Sequence, residues 1–148
     1  MGISYLTAQH HTLEDNQRKE INLLIDKYSQ ARENKDTVLL KNILTNDVDQ
    51  LVSTGEWRDG INASVKGMLR SSASSPGTRK LMVDKIRLLT SGCAIVDCKY
   101  EIQNADGTPR KMWSSFIVVF DKKNLENQRY QKHASNGPVK TADKRISS

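Results

Sequence analysis

Two side chains in this sequence are of types that carry out general acid–base catalysis, Asp97 and His133. A carboxyl group facing an apolar pocket has a raised pKa that suits proton transfer, and a hydroxyl such as that of Tyr28 could assist it. However, Asp97 alternates with Lys99 and Glu101, a pattern typical of a strand face that meets solvent or a partner. His133 belongs to a polar segment near the C-terminus. Both residues are therefore weak catalytic candidates.

A second set of side chains predicts the wall or mouth of a ligand pocket. Aromatic residues make up only 5% of the chain, so the placement of each one matters. Each candidate also has a purely structural interpretation, because Tyr28 and Met68 lie on helix faces that must contact a sheet in any fold. Trp57 has one too, since it could wedge the turn before a helix. The predicted pocket residues are Tyr28, Trp57, Met68, Tyr100 and Trp113.

Motifs for phosphate binding, covalent catalysis and zinc binding are missing from the sequence. His10 and His11 do not have metal-ligand spacing. Cys93 and Cys98 are five residues apart in one apolar segment, which directs their side chains to opposite faces of a strand. That placement disfavours both a disulfide and shared metal chelation. We therefore expect no metal and no cofactor, and we interpret the cysteines as small buried side chains in a reducing compartment.

Length and charge limit the class of protein. The chain has 148 residues, 36% of them hydrophobic, which suits one domain, and no apolar run approaches the roughly 20 residues of a membrane span. With no secretory signal pattern, we predict a cytoplasmic protein. The net charge is +6, and most of the excess lies in residues 122–148. That distribution favours a solvated basic tail over a nucleic-acid-binding or membrane-binding surface.

The first half of the chain has helical patterning. Residues 16–34 predict an amphipathic helix, Asp36 is placed to cap a short second helix, and Asp59-Gly60 opens a third. A brief strand is predicted over 48–53. The apolar stripe of the first helix consists of Ile21, Leu24, Ile25, Tyr28 and Ala31.

The second half alternates between apolar and polar residues, which predicts strands joined by hairpins. Ala105-Asp106-Gly107 is a strong hairpin turn. Helices followed by such strands indicate an α+β fold, here a curved antiparallel sheet wrapped around the N-terminal helices as a cone-shaped α+β barrel. The predicted strands cover residues 79–90, 93–102, 111–121 and, more weakly, 128–135. We divide the chain into a flexible leader (1–15), one domain (16–135) and a basic disordered tail (136–148).

The motifs occur in a recognisable order: a helix ending at a small residue, a charged pair, an acidic strand entry and a Gly-x-Trp segment. Together they resemble the nuclear transport factor 2-like superfamily, and within it the SnoaL-like, ketosteroid-isomerase-like branch. The resemblance covers roughly residues 16–135, with a loose match at Gln128–Ser135. The matching residues are Ala31, Lys35-Asp36, Asp47-Val48-Asp49 and Gly55-Glu56-Trp57-Arg58-Asp59-Gly60.

The resemblance implies a homodimer formed through the outer sheet face and a conical pocket for a small apolar or amphipathic molecule. Ketosteroid-isomerase-like catalysis requires a carboxylate base, and a tyrosine and a neutral acid at the oxyanion. Tyr28 matches the tyrosine, but the base position falls near Val52, which has no acid–base group. We therefore favour a pocket domain without catalytic activity. The alternatives are a dimeric interaction or scaffold module, and an isomerase or cyclase that uses general acid–base chemistry.

Overall fold

The structure is a computed structural model that describes the backbone of residues 3–120 and 130–138 and the side chains of residues 13–120. Two helices come first, a third helix follows two short strands, and four longer strands come last, which confirms the predicted α+β class. No described helix is both long and apolar enough to cross a membrane. The elements are α1 (Ile3–Glu33), α2 (Thr37–Ile43), β1 (Asp49–Leu51), β2 (Trp57–Asp59), α3 (Gly60–Ser74), β3 (Gly77–Thr90), β4 (Cys93–Asn104), β5 (Pro109–Phe120) and β6 (Tyr130–Pro138).

Helix α1 begins earlier than its sequence pattern predicts. Its backbone is helical from Ile3, so residues 3–15 of the predicted leader form its first turns. At its other end the chain turns into α2, where the Leu39 N–H donates to Asp36 Oδ1 at 2.9 Å, which confirms the predicted cap. The boundaries of leader, domain and tail stay a prediction. Strand β6 extends to Pro138, and residues 139–148 lie outside the described residues.

The six described strands form one sheet in the order β2-β1-β6-β5-β4-β3. All neighbours are antiparallel except β1 and β6, which are parallel, with Gln50 opposite Ala134. The predicted hairpin turn between β4 and β5 is confirmed, since the Gly107 N–H donates to the Asn104 carbonyl at 2.9 Å. Strand β6 confirms the predicted last strand and links the long hairpins to the short β1–β2 pair.

The helices cover one face of the sheet. Alternate residues of β4 and β5 on that face are buried, for example Val96 and Phe116, and they pack with the apolar stripe of α1. The Phe116 ring meets the Tyr28 ring edge-on, with centroids 5.3 Å apart. Cys98 shares the buried face while Cys93 is half-buried, and neither forms a disulfide.

Helix α1 also covers the free edge of the sheet at β3. Gln17 Nε2 donates to the Ser91 carbonyl at 2.9 Å, and Arg18 Nη1 donates to the Ile86 carbonyl at 3.3 Å. Strand β3 carries a bulge at Asp84, where the pairing register with β4 shifts by one residue. The bulge explains why the alternation of residues 79–90 is less regular than that of the next strand.

Candidate functional site

The short β1–β2 hairpin places two polar side chains inside the protein. Each strand has three residues, and in each the middle residue is buried: Gln50 is 5% exposed and Arg58 is 7% exposed. The two are directly opposite in the antiparallel register, so their side chains point to the same face. The hairpin therefore delivers an amide and a guanidinium to the helix-covered side of the sheet.

These two side chains connect to α1 through a line of polar groups. Arg58 Nη1 donates to Gln50 Oε1 at 3.4 Å, and Gln50 Nε2 donates to the Tyr28 hydroxyl oxygen at 3.5 Å. Both distances exceed the range of about 2.7–3.2 Å for well-formed hydrogen bonds. The contacts are therefore weak, and the donors retain capacity for a stronger acceptor.

Arg32 lies one helical turn after Tyr28 on the same face of α1 and is 9% exposed. Its Nη2 donates to the Ser71 hydroxyl at 3.2 Å, and that hydroxyl in turn donates to the Met68 carbonyl at 3.0 Å. Helix α3 thus holds one arm of the Arg32 guanidinium. The Nε–H of Arg32 is buried and has no partner among the described residues.

A small, partly open cavity lies between the three helices and β1. It leaves about 10 Å³ for the centre of a water molecule, which is room for about one water. Four of the eight lining residues are apolar, and the other four carry hydrogen-bonding side chains. The lining residues are Tyr28, Arg32, Leu40, Leu44, Val48, Gln50, Ser64 and Met68.

The electrostatic character of the site is positive. Burial lowers the pKa of Arg58; the Glu56 carboxylate opposes this, and the charges of Arg32 and Arg70 lower the pKa further. The guanidinium nevertheless stays protonated at neutral pH. The Arg58 side chain packs directly against Gly67 of α3, where an added Cβ would overlap it. Glycine at this position therefore makes room for the buried cation.

The chemistry available in the cavity is hydrogen-bond donation rather than proton transfer. Neither a carboxylate nor an imidazole is present among the described side chains that line it. Ser64, whose buried hydroxyl has no partner among the described residues, adds one more donor. Within residues 13–120, no three His, Cys, Asp or Glu side chains are grouped as metal ligands. The arrangement suits the binding of an electron-rich group.

Of the predicted pocket residues, the structure brings Tyr28 and Met68 together in the cavity wall. Trp57 lies outside it and is 57% exposed, because its neighbour Arg58 takes the inward position of β2. Tyr100 is buried in a separate cluster with Ile102 and Met112. Two of the five predicted pocket residues therefore line this cavity.

Trp113 and Asp97 lie on the opposite face of the sheet, away from the cavity. Lys99 Nζ lies 5.7 Å from the centroid of the Trp113 ring. Asp97 accepts from Arg87 Nη2 at 3.0 Å and from the Ser115 hydroxyl, so its position is that of a paired surface carboxylate rather than a pocket acid. Trp113 is therefore also removed from the set of cavity residues.

Two further sequence candidates remain apart from the cavity. The backbone of His133 pairs with Ile117 in the sheet, and its side chain lies outside the described residues. Val52, at the base position implied by the family resemblance, lies in the β1–β2 turn, where its N–H donates to the Glu56 carbonyl at 3.0 Å. It is not among the residues that line the cavity.

Sequence reasoning missed the polar members of the site, Arg32, Gln50, Arg58 and Ser64. A signal for one of them was present: Val48 and Gln50 are two apart, so if Val48 points to the core, Gln50 does as well. The antiparallel register then places Arg58 beside Gln50. No strand was predicted at Trp57–Asp59, so the inward position of Arg58 had no signal in the sequence pattern.

A second depression lies on the outside of the helices, between α1 and α2. It is larger, at about 280 Å³, and it is open to solvent. Its polar residues are at the surface, so it lacks the buried unpartnered donors of the cavity between the helices and β1. The residues that line it are Glu20, Leu23, Leu24, Lys27, Leu39, Asn42 and Ile43.

Comparison with solved structures identifies the fold. A protein from Novosphingobium aromaticivorans, described as NTF2-like with a cystatin-like fold, superposes with a TM-score of 0.70 at 17% identity, over 97% of this chain and 94% of that one. This chain has the nuclear transport factor 2-like fold. The match confirms the predicted resemblance at the level of the fold.

Other proteins with the nuclear transport factor 2-like fold superpose similarly. A domain of unknown function with a cystatin-like fold from Nostoc punctiforme has a TM-score of 0.72 at 12% identity, covering 87% of this chain and 81% of that one. A ketosteroid isomerase-like protein from Erwinia carotovora atroseptica has a TM-score of 0.63 at 14% identity, covering 78% and 92%. At such identities the likeness concerns the fold alone, and several of the matching proteins are themselves of unknown function.

Sequence comparison adds one partial match. No family model matches the chain. Membrane protein insertase YidC from several Neisseria meningitidis strains is 33% identical over 66 residues, which is 45% of this chain and 12% of the insertase. The matched part is about an eighth of the insertase length, so this similarity does not assign a family to the nuclear transport factor 2-like chain.

Proposed function

We propose that this protein binds a small amphipathic molecule in the cavity between the helices and β1 and does not catalyse a reaction there. One observation carries the proposal: buried hydrogen-bond donors converge on a space whose other walls are apolar, the usual composition of a small-molecule site. An isomerase or cyclase would require a general base in that space. The described lining residues supply none.

The size of the cavity decides what class of ligand fits. About 10 Å³ of free space holds one water, far below the roughly 300–1,000 Å³ of a drug-sized pocket. A rigid molecule of steroid size therefore does not fit this conformation. A short flexible chain enters if side chains such as Leu44, which is half-buried at the wall, move apart.

Methionine methyl groups provide a direct test. The chain has four methionines, at positions 1, 68, 82 and 112. Met68 lines the cavity, Met112 lies in the separate Tyr100 cluster, and Met82 lies in β3. In protein labelled with ¹³C at the methionine methyls, hexanoate and the neutral hexanamide are expected to shift the Met68 signal saturably, because each places a short chain against this methyl.

The Met112 signal is the internal control, because Met112 is also buried but belongs to another cluster. It is expected to stay in place during both titrations. Equal shifts of Met68 and Met112, or no shift of Met68 with either compound up to tens of millimolar, would contradict the proposed ligand site.

We further propose that the protein is a homodimer that associates through the outer sheet face. In support, Ile117 is 39% exposed there, opposite Ile95 in the register, and Val119 is opposite Cys93. These residues form a short apolar strip at one end of the face, and such strips commonly mark interfaces. We also propose a cytoplasmic location, supported by the two cysteines, Cys93 and Cys98, which form no disulfide with each other.

Replacing Ile117 with glutamate is expected to convert the dimer to a monomer, because the interface would then bury two unpaired carboxylates related by symmetry. Light scattering coupled to size-exclusion chromatography measures the mass of the parent protein and the variant. Val38→Glu is the matched control, since Val38 is 68% exposed on α2. A monomeric parent protein, or dissociation of both variants, would contradict the proposed interface.

A further inference from the structure

Two arginines, Arg32 at the cavity wall and Arg58 behind Gln50, are buried without an ion-pair partner among the described side chains. Arg32 and Arg58 are 9% and 7% exposed, and within the described side chains no carboxylate forms an ion pair with either. The Nε–H of each is buried and unpartnered among the same residues. By contrast, the neighbouring Arg70 is exposed and pairs with Glu56 at 2.7 Å.

Such a pair is costly for the fold. A buried cation loses its hydration, and an arginine cannot relieve the cost by releasing its proton. The chain nevertheless accommodates the cations, with glycine at position 67 beside Arg58 and a serine hydroxyl bonded to Arg32. The Glu56 carboxylate offsets part of the charge of Arg58, but the two arginines also repel each other, so an anion between or beside them would stabilise the arrangement.

We propose that Arg32 and Arg58 recognise the carboxylate of the ligand, so that this protein binds a small amphipathic acid. Arg32 lines the cavity and contacts the carboxylate, while Arg58, one hydrogen bond behind Gln50, supplies the second positive charge. The planar guanidinium fork matches a carboxylate, and the apolar wall formed by residues such as Leu40 and Val48 matches a short alkyl chain. This inference rests on the proposed function.

Isothermal titration calorimetry with hexanoate and with the neutral hexanamide, at low salt and pH 7.5, tests the recognition of charge. Hexanoate is expected to bind the parent protein at least tenfold more tightly, because a hydrogen bond between a guanidinium and a carboxylate is stronger than one to a neutral amide. Arg32→Met and Arg58→Met are each expected to lose this preference while hexanamide still binds. Arg70→Met, at an exposed arginine on the adjoining face of α3, is expected to keep it.

Thermal unfolding without ligand separates a binding role from a structural one. If the arginines serve to bind an anion, Arg32→Met and Arg58→Met each remove an unpaired buried charge from the ligand-free protein. Each variant is then expected to melt about 2 °C or more above the parent protein. If they are structural, both variants melt at lower temperatures, which would overturn the proposal even where the weakened fold no longer binds ligand.

The two proposals fail in different ways. Equal binding of hexanoate and hexanamide overturns the recognition of a carboxylate but leaves the pocket in place. Binding of neither compound removes the pocket itself. Inorganic phosphate serves as a third ligand: if it binds the parent protein more tightly than hexanoate does, the arginines serve a phosphate group and the assignment of an amphipathic acid is overturned.

Discussion

Replacing Phe116 with alanine is expected to lower the free energy of unfolding by about 3–5 kcal/mol. Its side chain is 1% exposed at the centre of the sheet, and it contacts the Tyr28 ring edge-on. Removing the ring leaves a cavity between β5 and α1 that the neighbouring strands cannot close. Urea unfolding followed by circular dichroism measures the loss as a lower midpoint at an unchanged slope.

Leu89→Ala is the control for this prediction. Leu89 is an aliphatic residue of the same sheet, but its side chain is 56% exposed near the end of β3. We expect its free energy of unfolding to stay within about 0.5 kcal/mol of the parent protein. Equal losses for the two variants would show that the face of the sheet that carries Phe116 is not the buried one.

Replacing Gly77 with alanine is expected to destabilise the protein by about 3 kcal/mol, through backbone strain and a steric clash. Gly77 has a φ of +153°, a conformation that L side chains rarely adopt. A Cβ at this position would also overlap the carbonyl oxygen of Gln103 in β4. Because backbone atoms meet there, no side-chain rotation relieves the overlap. The free energy of unfolding in urea is again the measurement.

Gly92→Ala provides the comparison, since Gly92 lies in the turn that joins the same two strands. A Cβ there meets Thr90 Oγ1 at 3.8 Å, an ordinary contact, and its φ is outside the positive region. The expected change is within about 0.5 kcal/mol. If Gly77→Ala were no less stable than Gly92→Ala, the close approach of β3 and β4 at Gly77 would be disproved.

The buried arginines imply a trade between stability and binding. Proteins commonly hold binding groups in positions that weaken the empty fold, and the stability is recovered when the ligand binds the native state. In this protein the loss of stability is confined to one region. The core of α1, β4 and β5 is apolar, and the buried cations lie on the side near β1 and β2. The ligand-free protein is therefore expected to gain melting temperature when a carboxylate ligand is added.

Local patterns predicted those elements whose stabilising interactions are close together in the chain. The apolar stripe of α1 repeats with the helical period, Asp36 caps its own helix, and the turn at Gly107 joins neighbouring strands. In each case the atoms that determine the conformation lie within a few residues of one another. Strands β4 and β5 could also be predicted, because the alternation of side chains between the two faces extends over 12 residues in each.

The candidate site was only partly predictable for the opposite reason. Tyr28 and Met68 lie on helical stripes and were found, whereas Gln50 and Arg58 lie on strands of three residues, too short for alternation to be read with confidence. The sequence pattern predicts no strand over residues 57–59, so the inward position of Arg58 was missed. Arg32 was missed because a charged residue near a helix end is usually exposed.

The amino-acid order by itself determined the α+β class, the core-facing stripe of α1 and the turns that join the long strands, since each depends on contacts between near neighbours. Tertiary structure alone decided that β6 lies parallel to β1, that Arg32 and Gln50 line one cavity, and that Arg58 is buried behind Gln50. These residues come from segments far apart in the chain. Their burial depends on pairing between distant segments and on the glycine at position 67. Neither can be predicted from the pattern of neighbouring residues.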